Sequence, residues 1–493
     1  MIAELKKLTR LSAVYGTARL LNGLIGILLI PIYTRYLSPA DYGLFSLYTI
    51  AGQVVTIMSL MGVGAAMFRE VVFRNADERT AITTALYFQI AQAVVFFGAL
   101  VVFSPQLSQL LFGEEAHTYL LQLIFVTNGL SIFGLIVLSI LQMGEQAVSY
   151  SVLYVVRFVV GVALNILFIV VWRQGLEGLI LAGLVTVILT NILAGLLFVK
   201  IQGRNLRPRI SLSMLRRMLR FGLPLVPFQL ASIVLTSSDR FFLEHYAGTA
   251  EVGIYSLGYK FGMIVQLLVA AVQTAWETRM FAIAKEEDAE HKFARIVLYY
   301  LTAAGFVGLA ISVLCKEALV IVADPTYFSA YTVVPLIVLS YIAYGGVSIT
   351  NVALNVKART ELNAPIIIAV AVGNLALNYL LIPRFGMMGA AWATILSYSI
   401  LLAVEVMVNQ RIWRMPLEYG RMVKLAIAWG GVYAASLLIA SGNVWLDVVL
   451  KTVLLLAFPL ALYLLRFFDE SELRVFWRVR RQILDRLSIH PSR

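Results

Sequence analysis

Residues 36–47, Y-L-S-P-A-D-Y-G-L-F-S-L, align without a gap on residues 246–257, Y-A-G-T-A-E-V-G-I-Y-S-L, 210 positions later. Tyr36/Tyr246, Ala40/Ala250, Asp41/Glu251, Gly43/Gly253, Ser46/Ser256 and Leu47/Leu257 match, and Arg10/Arg220, Gly52/Gly262 and Arg69/Arg279 keep the same spacing. The chain therefore reads as two like halves.

Each copy lies at the junction of two long apolar runs. Runs long enough to cross a hydrocarbon core of roughly 30 Å as helices continue nearly end to end. They predict 14 spans: 12–34, 43–67, 80–103, 118–141, 149–172, 178–199, 215–243, 252–275, 293–315, 329–352, 363–383, 388–410, 421–441 and 444–466. The chain is 60% hydrophobic and 13% charged, with a mean hydropathy of +0.87, outside the range of water-soluble domains. The alternating pattern of a membrane barrel is absent, so the expected class is an all-α integral membrane protein.

A second correspondence pairs L-N-I-L at 164 with L-N-Y-L at 377, and R-Q-G-L-E-G at 173 with R-F-G-M-M-G at 384. An even number of spans separates the copies in both correspondences, so they point the same way: a parallel repeat with its pseudo-twofold along the membrane normal. The expected organisation is an N-lobe (1–200, spans 1–6), a basic cytoplasmic linker (201–220), a C-lobe (221–410, spans 7–12), two further spans (411–468) and an amphipathic cytoplasmic tail (469–493).

A net charge of +12 invites a nucleic-acid reading, which the placement of the charges rejects. About 30 Lys and Arg fall on one side of the spans and about five on the other, which puts both termini in the cytoplasm of a cell (inner) membrane. Lys451 and Lys316 are counted with the outer side. The excess charge is topology and contact with anionic membrane lipids. Cys315 is the single cysteine, so no disulfide framework or cysteine-based metal site is expected. His117, His245, His291 and His490 are far apart in sequence and sit in loops or the tail. The first apolar run lacks a cleavage motif and is read as a retained helix. No loop is long enough for a soluble domain, and there is no Walker A motif.

The segments I-P-I-Y-T-R-Y-L-S-P-A-D-Y-G-L-F-S-L, F-G-L-P-L-V-P and Y-A-G-T-A-E-V-G-I-Y-S-L-G-Y-K, with the G-x-x-G turns Gly175/Gly178 and Gly386/Gly389, resemble the lipid-linked oligosaccharide flippases of bacterial polysaccharide and O-antigen biosynthesis. Their superfamily also holds multidrug and toxin extrusion exporters and lipid II flippases. The resemblance implies a transporter rather than an enzyme. It would move a polyprenyl-pyrophosphate-linked glycan, with lipopolysaccharide-type glycans in view, to the outer leaflet by alternating access. A monomer is expected, working beside the polymerase and glycosyltransferases of its pathway. The alternatives are a multidrug exporter of the same fold, a lipid II flippase, and a membrane glycosyltransferase acting on the same glycans.

Four cations fall inside expected spans: Arg19, Arg157, Arg240 and Lys260. Each costs roughly 2.5–3.5 kcal/mol near the centre of a helix, so each needs a partner. Arg19 shares a face with Ser12, Tyr15, Gly16, Asn22, Gly23 and Gly26, and similar polar stripes carry Gln53 in span 2, Gln229 in span 7 and Gln266 in span 8. Together they imply a wet cavity in which the cations form a ladder for an anionic headgroup. The competing readings are snorkelling for Arg19 and Lys260, a structural pair with Asp239 or Glu244 for Arg240, and a peripheral helix for Arg157. Asp41 and Glu251 read as N-terminal caps of spans 2 and 8, or as parts of an outer gate with Arg35. Pro31, Pro224 and Pro227 mark either bends or helix ends. No cofactor or metal is expected; a coupling Na⁺ or H⁺ would have Asp239 or Glu405 as its site.

Overall fold

The computed structural model describes residues 26, 28–202, 209–357, 359–470, 472 and 474, and among these all regular structure is helical. The helices are α1 (Ile30–Tyr36), α2 (Pro39–Leu60), α3 (Val63–Val72), α4 (Glu78–Val102), α5 (Ser104–Phe112), α6 (Thr118–Met143), α7 (Ala147–Asn165), α8 (Gly175–Gln202), α9 (Leu212–Gly222), α10 (Leu225–Ser237), α11 (Asp239–Ala247), α12 (Thr249–Gly262), α13 (Val265–Ile283), α14 (Ala289–Val322), α15 (Val334–Thr350), α16 (Val352–Val356), α17 (Asn363–Ile412), α18 (Tyr419–Leu437) and α19 (Val444–Leu464). Ten described helical stretches are long and apolar enough to cross a membrane, or eleven if the pair α12 and α13, bent by 43°, counts as one. The chain is a multi-pass membrane protein. The 14 expected spans are not all matched by single helices: 43–67 is divided between α2 and α3, 215–243 among α9, α10 and α11, α17 runs through two expected spans, and most of the first lies outside the described residues.

Contacts divide the chain into two compact units: residues 1–261, 322–333 and 361–401, and residues 262–321, 334–360 and 402–493. In the first unit, α2 starts because its leading amides are satisfied locally. Ser38 Oγ accepts from Asp41 N at 3.1 Å, the Asp41 carboxylate accepts from Ser38 N at 3.2 Å, and Pro39 occupies a position whose missing N–H costs nothing. Asp41 is thus a cap. The helix ends where Met61 (φ 48°) and Gly62 (φ 65°) turn left-handed, and α3 restarts at once. Gly62 lies directly against Gly222, where a Cβ on Gly62 would come within 2.7 Å of the Gly222 Cα.

The amphipathic segment before span 7 is α9, and its apolar face is packed into protein. Met214 and Met218 are buried in a core built from Val63, Met67, Ile82, Leu86, Ile136 and Leu141. On its other side Arg217 donates from Nε and Nη2 to the buried Glu70 carboxylate, both at 2.9 Å, and Arg74 approaches the same group at 3.4 Å. The α9 helix is therefore fastened to α3 and to the start of α4, with its apolar face in protein.

Glu251 was expected to cap its own helix as Asp41 does. Instead its Oε1 accepts from Met387 N at 2.7 Å. The long helix α17 is broken at Gly386 (φ 53°, ψ −134°), three residues after Pro383, and the break frees the Met387 amide that Glu251 satisfies. Where the first copy has Ser38 and Pro39, the second has Gly248 (φ 88°) and Thr249, so the capping box has no counterpart and the carboxylate is released for another helix.

In the second unit, α14, α18 and α19 share a core of Leu298, Leu309, Val313, Leu425, Val432, Leu455 and Phe458. Lys451, counted with the outer side in the sequence, is enclosed by protein. Its side chain, 6% exposed, donates to Glu317 Oε1 at 2.6 Å, and Glu317 is 4% exposed. Lys451→Ala strands a carboxylate in this core and is expected to lower stability by about 3–5 kcal/mol. Lys451→Met combined with Glu317→Leu is expected to cost less than about 1 kcal/mol or to stabilise, because the desolvation of both charges disappears together. Thermal unfolding in detergent distinguishes these outcomes.

Candidate functional site

The polar residues that the sequence set in stripes partly satisfy themselves. Thr49, Ser232 and Thr236 donate to the carbonyls of Phe45, Phe228 and Ser232, four residues back, at 2.8, 3.0 and 3.0 Å. A span interior tolerates hydroxyls on these terms, so such residues alone do not define a site.

A denser cluster forms where α10 passes into α11. Arg240 Nη1 donates to the Thr236 carbonyl at 2.6 Å and to Asp239 Oδ1 at 2.8 Å, with the two side chains only 7% and 3% exposed. The guanidinium lies 4.0 Å above the Tyr259 ring and 5.3 Å from that of Tyr255. The Tyr255 hydroxyl donates to Asp239 Oδ2, and Thr394 Oγ1 donates to the same oxygen at 3.4 Å. Beneath it, Ser238 donates to Asn374 Oδ1, Asn378 donates to both Ser238 Oγ and Asn374 Oδ1, and Asn374 donates to Ser397. Of the two readings open for Arg240, the structure has the carboxylate pair. Asp239, proposed as an ion-coupling acid, has its oxygens occupied by Arg240, Tyr255 and Thr394.

Lys260 is different. Its Nζ lies 4.9 Å from the centre of the Tyr42 ring and 5.7 Å from that of Tyr33, and a Cβ on Gly26 would stand 3.9 Å from it. Among the described residues no carboxylate pairs with this ammonium and no acceptor hydrogen-bonds to it. Two ring faces return about 0.5–2 kcal/mol each at best, against a cost of roughly 2.5–3.5 kcal/mol for a cation in the bilayer. The Tyr42 hydroxyl beside it is buried and also has no hydrogen-bond partner among the described residues. Tyr33 is fixed by donating to Asn165 Oδ1 at 3.0 Å, and Tyr42 packs edge-on against Tyr327. The result is an anchored aromatic recess with an unpaired ammonium and an unused hydroxyl donor, chemistry that suits a phosphate oxygen.

The other expected site residues are spread more widely. Arg19 and Asn22 lie outside the described residues. Arg157 lines a cleft with Ser131, Tyr154, Thr190 and Asn191 among α6, α7 and α8, and none of the tyrosines around Lys260 borders it. Gln53 and Arg35 are exposed on α2 and α1, and Gln229 is half-buried on α10. Gln266 and Glu405 belong to the second unit. Gln266 is half-buried and Glu405 is buried, each with one side-chain oxygen lacking a partner among the described residues. The structure therefore sets Lys260 against Tyr33 and Tyr42, Arg240 against Tyr255 and Tyr259, and Arg157 in a separate cleft.

Sequence reasoning missed Tyr33, Tyr42, Asn374 and Thr394. Tyr33 and Tyr42 stand in the very segment that carries the family resemblance, and Asn378 in the second internal correspondence; the signal was present but was read as pattern rather than chemistry. His117, set aside as an isolated loop residue, is also engaged: Nδ1 meets the Tyr48 hydroxyl and Nε2 lies 3.0 Å from Glu114.

The profile of the polysaccharide biosynthesis protein family matches residues 8–276. The chain belongs to that family. Among curated proteins it is 27% identical over 415 residues to "Probable flippase AglR" of Haloferax volcanii, covering 81% of this chain and 83% of that one. Among solved structures, the lipid II flippase MurJ in an inward closed conformation superposes with a TM-score of 0.67 at 12% identity, over 92% of this chain and 99% of that one. An inward-facing multidrug resistance MATE family transporter of the MOP superfamily gives 0.65 at 14% identity, over 79% and 94%. The two structural likenesses establish a shared fold. These relatives are transporters, not enzymes, as the sequence reading expected of this family member.

Asp239→Asn removes the charge that balances the buried Arg240 and is expected to cost about 3 kcal/mol of stability. Tyr255→Phe, which removes one hydrogen bond to that carboxylate, is expected to cost about 1.5–3 kcal/mol. If thermal unfolding of both variants in detergent matched that of the parent protein, the Asp239–Arg240 pair would not be structural.

Proposed function

We propose that the protein is an alternating-access flippase that moves a polyprenyl-pyrophosphate-linked oligosaccharide from the cytoplasmic to the outer leaflet for cell-surface polysaccharide synthesis. The observation that carries this reading is Lys260, a cation on a membrane helix without an ion-pair partner among the described residues, set between tyrosine rings beside the Tyr42 hydroxyl, which also lacks a partner among them. A phosphate oxygen supplies the missing counter-charge, and the Tyr42 hydroxyl is positioned to donate to it. Arg240, held by Asp239, contributes field and rigidity rather than a free valence. Arg19, Asn22, Gln53 and Gln229 are assigned to the hydrated path taken by the sugars, Arg157 to a separate step, and the polyprenyl chain stays in lipid.

The architecture proposed is 14 helices in two repeat-related lobes, with both termini in the cytoplasm of the inner membrane, acting as a monomer. The contacts support the repeat. Gly43 and Gly253 press on each other's helices reciprocally, Ser46 and Ser256 hydrogen-bond across the same relation at 2.9 Å, and Asn165 and Asn378 tie equivalent helices to Tyr33 and Ser238. A multidrug exporter shares the fold, but a site for cationic drugs calls for a surplus of carboxylate, and the acid in this cluster is already neutralised. Glu405, with an unused oxygen, is the remaining candidate for a coupling H⁺ or Na⁺.

The test is flipping of a polyprenyl-pyrophosphate glycan by protein reconstituted in liposomes. Lys260→Met is expected to slow flipping about 10- to 100-fold, the loss of one charge-assisted hydrogen bond, with unchanged thermal stability, while Lys260→Arg keeps most of the activity. Flipping by Lys260→Met at the parental rate would remove this mechanism.

A further inference from the structure

The first turns of α2 and α12 meet backbone to backbone. A methyl carbon at Gly43 would overlap the Thr249 carbonyl oxygen and stand 2.9 Å from Gly253 N; one at Gly253 would overlap the Pro39 carbonyl oxygen and stand 3.0 Å from Gly43 N. Each glycine rests on the residue one turn before the other, so the contact is the same viewed from either helix. One turn deeper, Ser256 Oγ donates to Ser46 Oγ at 2.9 Å. Tyr327 covers the same end, donating to the Leu37 carbonyl at 3.0 Å, and α12 is pressed onto that segment at Gly258, where a Cβ would come within 2.5 Å of the Ala330 carbonyl oxygen. No side chain at positions 43 and 253 intervenes between the two helices.

On α12 the residues Gly253, Ser256 and Lys260 follow one another at three- and four-residue steps, so the contact and the Lys260 ammonium share one helix face about 10 Å apart. We propose that Gly43 and Gly253 form the seal that closes the transport path at the end where α2 and α12 begin. Their separation is then the step that releases the ligand held at Lys260 to that side, the outer one by the charge distribution. This rests on the alternating-access reading above. Two glycines suit a contact that must be watertight yet must part: the approach is close enough to exclude water, and apart from the Ser46–Ser256 and Tyr327–Leu37 hydrogen bonds no ion pair or side chain at positions 43 and 253 has to be disengaged.

The experiment uses the full chain with its single cysteine removed by Cys315→Ser and with Ser46→Cys and Ser256→Cys introduced. In native membranes the pair is expected to crosslink under mild oxidation. Adding Gly43→Val or Gly253→Val is expected to reduce crosslinking at least five-fold, whereas Gly183→Val, where nothing lies within 4 Å of the added carbon, leaves it unchanged. Equal crosslinking with and without Gly43→Val overturns the seal. If the valine variants fail to fold by gel filtration, the glycine-intact pair decides: absence of a crosslink in membranes overturns the proposal. In liposomes the crosslinked protein is expected to stop flipping and to resume on reduction, and flipping that continues in the crosslinked state overturns the release role. A protein that crosslinks but moves no glycan even when reduced supports the seal and counts against the flippase reading, so the two failures are separable.

Discussion

An ammonium group inside a bilayer must find a counter-charge, an acceptor or water, and Lys260 among the described residues has only the faces of two tyrosines. Most other buried charges described in this protein are matched: Arg240 with Asp239, Lys451 with Glu317, Glu70 with Arg217, and Arg421 with Glu418, Asp469 and Glu472. The contrast gives Lys260 its meaning. Arg157 and Glu405 also lack an ion pair among the described residues, but only Lys260 stands in an anchored aromatic recess beside a hydroxyl without a partner, and that gives an anion a place.

The repeat gives that place its setting. The two segments matched in sequence, around Gly43 and around Gly253, lie on α2 and α12 and touch each other. The copies have nevertheless diverged where chemistry is needed. Asp41 remains a helix cap, while Glu251 has moved to the amide freed at Gly386; Asn165 fixes Tyr33, while Asn378 fixes Ser238 beside the Asp239–Arg240 pair. The matched segments thus carry unlike side chains, with Tyr33 and Tyr42 supplying ring faces and Lys260 the cation.

Apolar runs of membrane length, the 210-residue offset and the capping signal at Ser38–Asp41 were legible in sequence because they are local or periodic. The embedded cations were legible as well, since a charge in an apolar run is conspicuous. Their partners were not. The tyrosines next to Lys260 come from positions 33 and 42, more than 200 residues away, and a tyrosine in a membrane span has many uses. Nor could spacing decide that Arg240 is spent on its own neighbour while Lys260, seven residues after the Gly253 contact, is not. Nor was the enclosure of Lys451 legible, because a lysine near a span end resembles a surface residue and only the approach of Glu317 from α14 shows that it is enclosed.

The central claim is that a phosphate completes the Lys260 recess. Its most direct test is a structure of the protein in lipid nanodiscs with a bound polyprenyl pyrophosphate carrying no glycan. The account predicts a phosphate oxygen within about 2.7–2.9 Å of Lys260 Nζ and within reach of the Tyr42 hydroxyl. A phosphate seated elsewhere, with the recess between Tyr33 and Tyr42 unchanged, would contradict it.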